Sequence, residues 1–185
     1  LHISPTKAWT TDTARNRETQ IGEVRLPIKT ETRTGDTSAA RRQRQREKPP
    51  HILLTTPEQL ALMLSHPDAP YLFADLDTLI LDELHALAAS KRGDLLALNV
   101  ARLRTIAPEM LSVGLSATVA RPSELRAFLQ SQPSGHDRIA LADLVVAKGG
   151  ARPKIEILEL ETPTPWAGHL ARYAIPSIYE AIKRH

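Results

Sequence analysis

Asp82-Glu83-Leu84-His85 follows directly on the apolar run Thr78-Leu79-Ile80-Leu81, so two adjacent carboxylates and an imidazole stand at the end of a segment that reads as a buried strand. Carboxylates placed in this way can hold Mg²⁺ and activate a water for attack on a phosphoryl group. Such chemistry needs a fixed backbone, which an aliphatic strand supplies. The first charged residue after it emerges at the carboxyl edge of a parallel sheet, where folds of this kind bind ligands. A second explanation is purely local: acids at a helix N-terminus also offset the helix dipole.

The elements that must position these residues are short apolar runs alternating with amphipathic stretches. His2 to Ser4, Ile28 to Thr32, Ile52 to Leu54, Leu79 to Leu81 and Leu111 to Leu115 read as strands. Helical patterns cover Thr6 to Gln20, Thr37 to Glu47, Pro57 to Ser65, Leu84 to Ala89, Arg92 to Ile106 and Pro122 to Gln130. In the fifth, Leu95, Leu96, Leu98, Val100, Leu103 and Ile106 predict a broad apolar stripe. This alternation is the signature of an α/β fold with a mostly parallel sheet and helices on both faces. After Leu129 the turn-rich Ser131-Gln132-Pro133-Ser134-Gly135 leads to Leu144-Val145-Val146 and the strand-like Lys154 to Leu160. Thr162-Pro163-Thr164-Pro165 reads as a stiff linker ahead of an amphipathic helix from Leu170 to Arg184. A domain boundary is therefore expected between 150 and 165, dividing residues 1–150 from 151–185.

With 185 residues, 42% hydrophobic and 24% charged, the chain has the balance of a globular domain rather than a linker or peptide. No apolar stretch approaches the length of a membrane span, and the absence of Cys excludes disulfides and thiolate metal sites. No signal-peptide pattern opens the chain, and a cytoplasmic setting is expected. The net charge of +3 hides a cluster: Arg41, Arg42, Arg44, Arg46 and Lys48 lie close together, diluted by Glu47 and two Gln. Such a run fits a solvated helix face or a phosphate-rich partner.

Four strand ends carry small polar residues, Gly or Pro: Ser4-Pro5-Thr6-Lys7, Thr34-Gly35-Asp36-Thr37, Thr55-Thr56-Pro57-Glu58 and Ser116-Ala117-Thr118. Capping accounts for each one singly; Thr55 with Glu58 suits a capping box, and Pro5 or Pro57 a first helical turn. Together they set several hydroxyl-lined helix N-termini at one sheet edge, and such termini bind phosphates. With Lys7 and the arginine run they could follow a nucleic-acid backbone without reading its bases.

The whole set resembles the superfamily 2 nucleic-acid helicases of the DEAD/DEAH-box branch. Asp82-Glu83-Leu84-His85 is similar to the DExH form of the Walker B motif and Ile3-Ser4-Pro5-Thr6-Lys7-Ala8 to motif Ia. Thr34-Gly35-Asp36 resembles the TGD turn, Thr55-Thr56-Pro57-Glu58 the motif after it, and Ser116-Ala117-Thr118 motif III. The wording of the intervening segments, and Pro165-Trp166-Ala167-Gly168-His169 near the end, is most similar to the Lhr-type large bacterial helicases.

The resemblance implies a RecA-like first motor domain of the P-loop NTPase type, the lead-in to a second, and ATP and Mg²⁺ as cofactors. It further implies single-stranded or tailed duplex nucleic acid as partner, DNA favoured, and a place in DNA repair. Asp82 would hold Mg²⁺ through water, Glu83 would orient and deprotonate the attacking water, and His85 would link the nucleotide site to motif III. Ser116, Ala117 and Thr118 would couple nucleotide state to nucleic acid. Ser4, Pro5, Lys7, Thr34, Gly35, Asp36, Thr55, Thr56, Pro57 and Glu58, with Arg41 and Arg42, would grip the strand.

The chain departs from the pattern by containing no Gly-Lys-Ser or Gly-Lys-Thr, the phosphate-cradling end of a P-loop. Thr6 and Trp9 also stand where relatives carry Leu. The chain is therefore expected to be a fragment of a larger protein, needing the P-loop segment and second RecA-like domain of that protein. The missing strand is expected beside the strand ending at Asp82, leaving it short of backbone partners. Poor stability and no measurable ATP hydrolysis follow for the chain alone. Two alternatives remain at this stage: a non-catalytic nucleic-acid-binding module derived from a helicase domain, and a metal hydrolase using Asp82, Glu83 and His85.

Overall fold

The structure, a computed structural model, describes residues 1–8, 10–14, 16, 27–117, 119–133, 135, 139–147, 155 and 174–184. The chain divides into two compact units, Leu1–Leu144 and Val145–His185. In the first unit five strands, β1 (His2–Ile3), β2 (Thr30–Arg33), β3 (Ile52–Thr55), β4 (Thr78–Leu81) and β5 (Leu111–Gly114), form one sheet in the order β2-β3-β1-β4-β5. Every pairing is parallel. Parallel neighbours cannot be joined by tight turns, so helices fill the connections. They are α1 (Ala39–Glu47), α2 (Pro57–Leu64), α3 (Ala69–Phe73), α4 (Leu84–Ala88), α5 (Lys91–Ile106) and α6 (Pro122–Phe128). Residues 7–8, 10–14 and 16, after β1, are also helical.

Sheet register explains which side chains meet. Ile3 stands beside Leu81 and Thr55, so Ile3, Leu79 and Leu81 point to one face. That face packs with Leu60 and Met63 of α2 and Leu96, Val100 and Leu103 of α5. The α5 stripe is narrower than its sequence suggests: Leu98 is 61% exposed, whereas Leu96, Val100 and Leu103 are buried at i, i+4 and i+7. Gly93 allows the first turn of α5 to press on α4, because a Cβ there would lie 2.8 Å from the Ala88 carbonyl oxygen. On the other face Leu54 and His2 are buried, while Ile80 and Val113 are only half buried.

Four local readings are corrected. Thr55 and Glu58 form no capping box: the N-cap of α2 is Thr56, and Thr55 instead donates its hydroxyl to the Arg33 carbonyl at 2.7 Å. The second strand begins at Thr30 rather than Ile28, and the short helix α3 has no counterpart in the sequence reading. The strand ending at Asp82 is not short of partners either. β4 is paired with β1 on one side and β5 on the other, because β5 lies outside it; the sheet edges are β2 and β5.

The described part of the second unit contains α7 (Ile175–Arg184), whose Ile175, Ile178, Tyr179 and Ile182 are exposed. Lys183 Nζ lies 4.5 Å from the Tyr179 ring centroid. Lys154 to Leu160, bar Ile155, and the segment from Thr162 to His169 lie outside the described residues.

Candidate functional site

Register brings the five strand ends into one row. Ile3 is level with Thr55 and Leu81, Arg33 with Thr55, and Gly114 with Leu81. Pairing continues one residue further, through Ser4 N–H to the Thr55 carbonyl at 3.0 Å, Asp82 N–H to Ile3 at 2.9 Å and Leu115 N–H to Leu81 at 2.8 Å. All five loops therefore leave from the same edge. Across the sheet they run Thr34–Thr37, Thr56–Glu58, Ser4–Lys7, Asp82–His85 and Leu115–Ala117, an order different from that of the chain.

At Asp82–His85 the backbone makes an abrupt turn. Glu83 has φ 49° and ψ 45°, the left-handed region, and is the only described non-glycine residue with positive φ. Such a conformation costs a non-glycine residue roughly 1 kcal/mol and concentrates at functional sites. It is held from both sides: the Glu83 N–H donates to Asp82 Oδ1 at 3.0 Å, and the Leu84 N–H donates to the Leu115 carbonyl at 3.0 Å. The Asp82 and Glu83 side chains remain partly exposed. His85 Nδ1 lies 2.9 Å from Ser116 Oγ and 3.3 Å from Glu83 Oε2, so its ring joins the acidic turn to the loop after β5. Ala117 is exposed beside it, and Thr118 lies outside the described residues.

His2, which sequence reasoning passed over, is buried between the two halves of the edge. Its Nε2 is 4.0 Å from Asp82 Oδ2 and its Nδ1 is 3.4 Å from Ser4 Oγ. Its only sequence signal is a polar residue in an otherwise apolar strand. Arg92 was also missed: it grips Glu58 through Nε at 2.5 Å and Nη2 at 3.0 Å, tying the loop after β3 to α5. Burial pushes the Glu58 carboxyl up, but the Arg92 hydrogen bond, a backbone hydrogen bond, the Thr56 hydroxyl and the Arg92 charge together hold the pKa below the usual value. The bond to Glu58 raises that of Arg92.

On the other half of the row Lys7 pairs with Asp36, joining the loop after β1 to the loop after β2. The Thr34–Thr37 turn is closed by Thr34 N–H to Thr37 Oγ1 at 2.9 Å and Thr37 N–H to the Thr34 carbonyl at 3.2 Å. Lys7, Gly35, Asp36 and Glu58 are exposed; Thr34, Thr56 and Pro57 are buried or nearly so. Pro5 is buried too. Ser4 and Thr55, expected to grip a strand, are both 0% exposed, their hydroxyls turned to His2 and the Arg33 carbonyl. Neither side chain can reach a ligand, because the edge pairing that aligns the loops turns these hydroxyls inward.

The arginine run likewise has partners within the protein, although Arg41 and Arg44 stay about half exposed. Glu31 sits on the covered face of β2 at 5% exposure and collects Lys29 at 3.0 Å, Arg41 at 3.4 Å and Arg44 at 3.5 Å, with Gln45 Nε2 donating at 2.8 Å. Burial alone would push this carboxyl up; the hydrogen bonds from Gln45, Lys29 and Arg41 reverse that and lower its pKa to about 2. Arg42 extends its Nη2 to the Thr34 carbonyl at 3.3 Å and the Gly35 carbonyl at 2.9 Å. Arg41 and Arg42, expected at phosphates, instead contact Glu31 and the turn; the buried Glu31 carboxylate in particular needs donors. Arg33, beneath the same helix, is buried, and desolvation followed by the charges of Arg42 and Arg46 lowers its pKa.

The oxygen donors at Asp82 and Glu83 suit Mg²⁺, which takes one or two carboxylates and keeps its other positions for water and phosphate. No group of three or more His, Asp or Glu converges to hold a metal among the described residues, so the hydrolase alternative has no ligand set there.

Residues 1–125 match the family model described as DEAD/DEAH box helicase. The chain belongs to the DEAD/DEAH box helicase family. It is 40% identical over 139 residues to ATP-dependent helicase Lhr-Core protein 2 of Thermococcus barophilus, an alignment covering 70% of this chain and 16% of that protein. It is 41% identical over 140 residues to the Lhr helicase/uracil glycosylase of Escherichia coli, covering 70% of this chain and 9% of the relative. Among solved structures, Mycobacterium smegmatis helicase Lhr bound to ssDNA and AMP-PNP matches with a TM-score of 0.63 at 40% identity, over 70% of this chain and 18% of that one. Helicase MrfA bound to DNA and AMPPNP matches at 0.61 and 32% identity, over 70% and 19%. The chain thus spans less than a fifth of each of these four relatives. No described helix is long and apolar enough to cross a membrane.

Proposed function

We propose that this chain forms part of the first motor domain of an ATP-dependent DNA helicase or translocase, in which ATP hydrolysis drives movement along a single strand. The observation that carries the reading is the shared edge, where an acidic turn with a left-handed Glu83 and a His85–Ser116 contact lies beside three polar loops. Bound Mg²⁺ would neutralise charge on the triphosphate, with Asp82 holding it through water. Glu83 orients the attacking water and accepts its proton, its partly exposed carboxylate lying 3.3 Å from His85 Nδ1. His85 passes the position of this turn to Ser116. Lys7 and the outward N–H groups of the Thr34–Thr37 turn take phosphates of the strand, while Asp36 and Glu58, themselves anionic, hold Lys7 and Arg92. The Lhr and MrfA structures bound to DNA and a nucleotide analogue support this assignment of cofactor and partner. A cytoplasmic setting and a role in DNA repair belong to the same reading. On the same reading residues 151–185 lead towards a second motor domain.

The test is Glu83→Gln in the complete gene product that carries this sequence. ATP and single-stranded DNA binding should persist while DNA-stimulated phosphate release falls at least a hundredfold, since removal of a general base costs about 10²–10⁴ in rate. Undiminished turnover removes Glu83 from the base role. A wild-type protein that binds DNA but releases no phosphate makes this the non-catalytic module.

A further inference from the structure

The Thr34–Thr37 turn is held by one side chain in a way that decides what the turn presents. Arg42 Nη2 donates to two consecutive carbonyls, Thr34 at 3.3 Å and Gly35 at 2.9 Å. In a trans peptide the C=O and N–H of one plane point in opposite directions. The plane containing the Thr34 carbonyl also carries the Gly35 N–H, and that containing the Gly35 carbonyl carries the Asp36 N–H. Drawing both carbonyls towards α1 therefore turns both N–H groups away from it. Gly35 and Asp36 are exposed, and neither N–H has a hydrogen-bond partner among the described residues. Successive outward N–H groups form a concavity that takes an anionic oxygen.

We propose that Arg42 is a positioning residue: it fixes two peptide planes so that the Gly35 and Asp36 N–H groups receive a phosphate oxygen of single-stranded nucleic acid, and does not itself touch the phosphate. This deepens the function proposed above and rests on that reading for the identity of the ligand. The neighbours on α1 have other tasks, since Arg41 and Arg44 turn to Glu31 and Gln43 bonds Glu47 at 2.9 Å. The contact favours an arginine: the planar Nη2 holds its two N–H bonds at fixed angles, one to each carbonyl, whereas the N–H bonds of a lysine ammonium rotate about Cε–Nζ. The two closures between Thr34 and Thr37 shape the turn but leave the Gly35 carbonyl unheld.

Salt dependence separates the two roles for Arg42. A cation that neutralises a phosphate on a single strand contributes about 0.7 to the slope of log K against log salt, whereas an N–H contact releases no counterion. Fluorescence anisotropy of a labelled oligothymidylate with the complete gene product that carries this sequence is measured across a salt series for wild type, Arg42→Ala, Arg42→Lys and the charge-matched Arg44→Ala. Arg42→Ala is expected to bind about tenfold more weakly at every salt concentration with an unchanged slope, because two N–H contacts lose their alignment while no counterion-releasing charge is lost from the phosphate. Arg42→Lys should lose most of the same affinity. A slope flattened by about 0.7 in Arg42→Ala, or full binding in Arg42→Lys, overturns the proposal in favour of a direct charge contact.

Amide hydrogen exchange reads the positioning without any ligand. Protection at the Thr34 and Thr37 amides should fall at least several-fold in Arg42→Ala and Arg42→Lys and stay level in Arg44→Ala. Unchanged protection in the Arg42 variants overturns the proposal. If the wild-type chain binds no oligothymidylate while the exchange result holds, the nucleic-acid reading fails and the positioning role of Arg42 stands. Arg42→Lys, which keeps the stem and charge, carries the test if Arg42→Ala does not fold.

Discussion

Replacing Glu31 with Gln removes one negative charge from beneath α1 and leaves Lys29, Arg41 and Arg44 facing one another across a buried amide. The carboxyl is held at about 2 against an ordinary 4.5. Taken at face value, a shift of that size corresponds to about 3 kcal/mol of folding stability. The three cations are about half exposed, so solvent screening reduces the figure to roughly 1–2 kcal/mol. Because the folded-state pKa lies below the unfolded one, the contribution is complete above about pH 4.5 and vanishes as pH falls through about 2. Urea denaturation of wild type and Glu31→Gln across that range should show the variant less stable at neutral pH by roughly 1–2 kcal/mol, with the gap narrowing below pH 4.5 and closing near pH 2. At neutral pH the melting temperature should drop by roughly 2–8 °C for a chain of this size. A gap that does not change between neutral pH and pH 2 would mean that shape, not charge, holds α1, and would refute the electrostatic account. A neutral-pH difference under about 0.5 kcal/mol would show that the cations are already hydrated without Glu31.

The two close glycines should differ in cost. A Cβ at Gly93 meets backbone, 2.8 Å from the Ala88 carbonyl oxygen, whereas one at Gly114 meets the mobile ends of Leu84 at 2.8 Å and Leu129 at 2.9 Å. Gly93→Ala is expected to lose about 2–3 kcal/mol and Gly114→Ala about 1 kcal/mol in urea melts; the reverse order would mean that α4 yields more easily than the leucines. Arg92→Ala breaks a two-bonded but half-exposed pair with Glu58, so the expected loss is below about 1 kcal/mol and shrinks in high salt. A loss above about 2 kcal/mol, insensitive to salt, would show the pair to be shielded from solvent.

The acidic turn was legible because Leu79, Ile80 and Leu81 mark a strand and the charge that follows must leave the sheet. Each of the five strands could be found from its aliphatic or β-branched run, and most helices from their capping residues and spacing. The roles of the arginines were not legible. Alternation within β2 says that Glu31 and Arg33 share a face, but not that this face is covered by α1, so the run from Arg41 to Arg46 looked like a solvent-facing patch. His2 was missed for the same reason. A polar residue in a strand becomes informative only when its neighbour across the sheet is known, and that neighbour is 80 positions away at Asp82.

The sequence by itself determined the local elements and the chemistry available at their ends, because these depend on side-chain spacing, backbone propensity and residue type over a few positions. It determined neither the order of the strands nor the direction in which buried groups point. Pairing β1 between β3 and β4, and β5 outside β4, is a choice among parallel arrangements that depends on long-range packing of α2 and α5 on the sheet. That choice alone sets the polar loops in one block beside the acidic turn. It also turned Ser4 and Thr55 inward, and it supplies the Leu115 carbonyl that, together with the local bond from the Glu83 N–H to Asp82 Oδ1, holds Glu83 in the left-handed conformation.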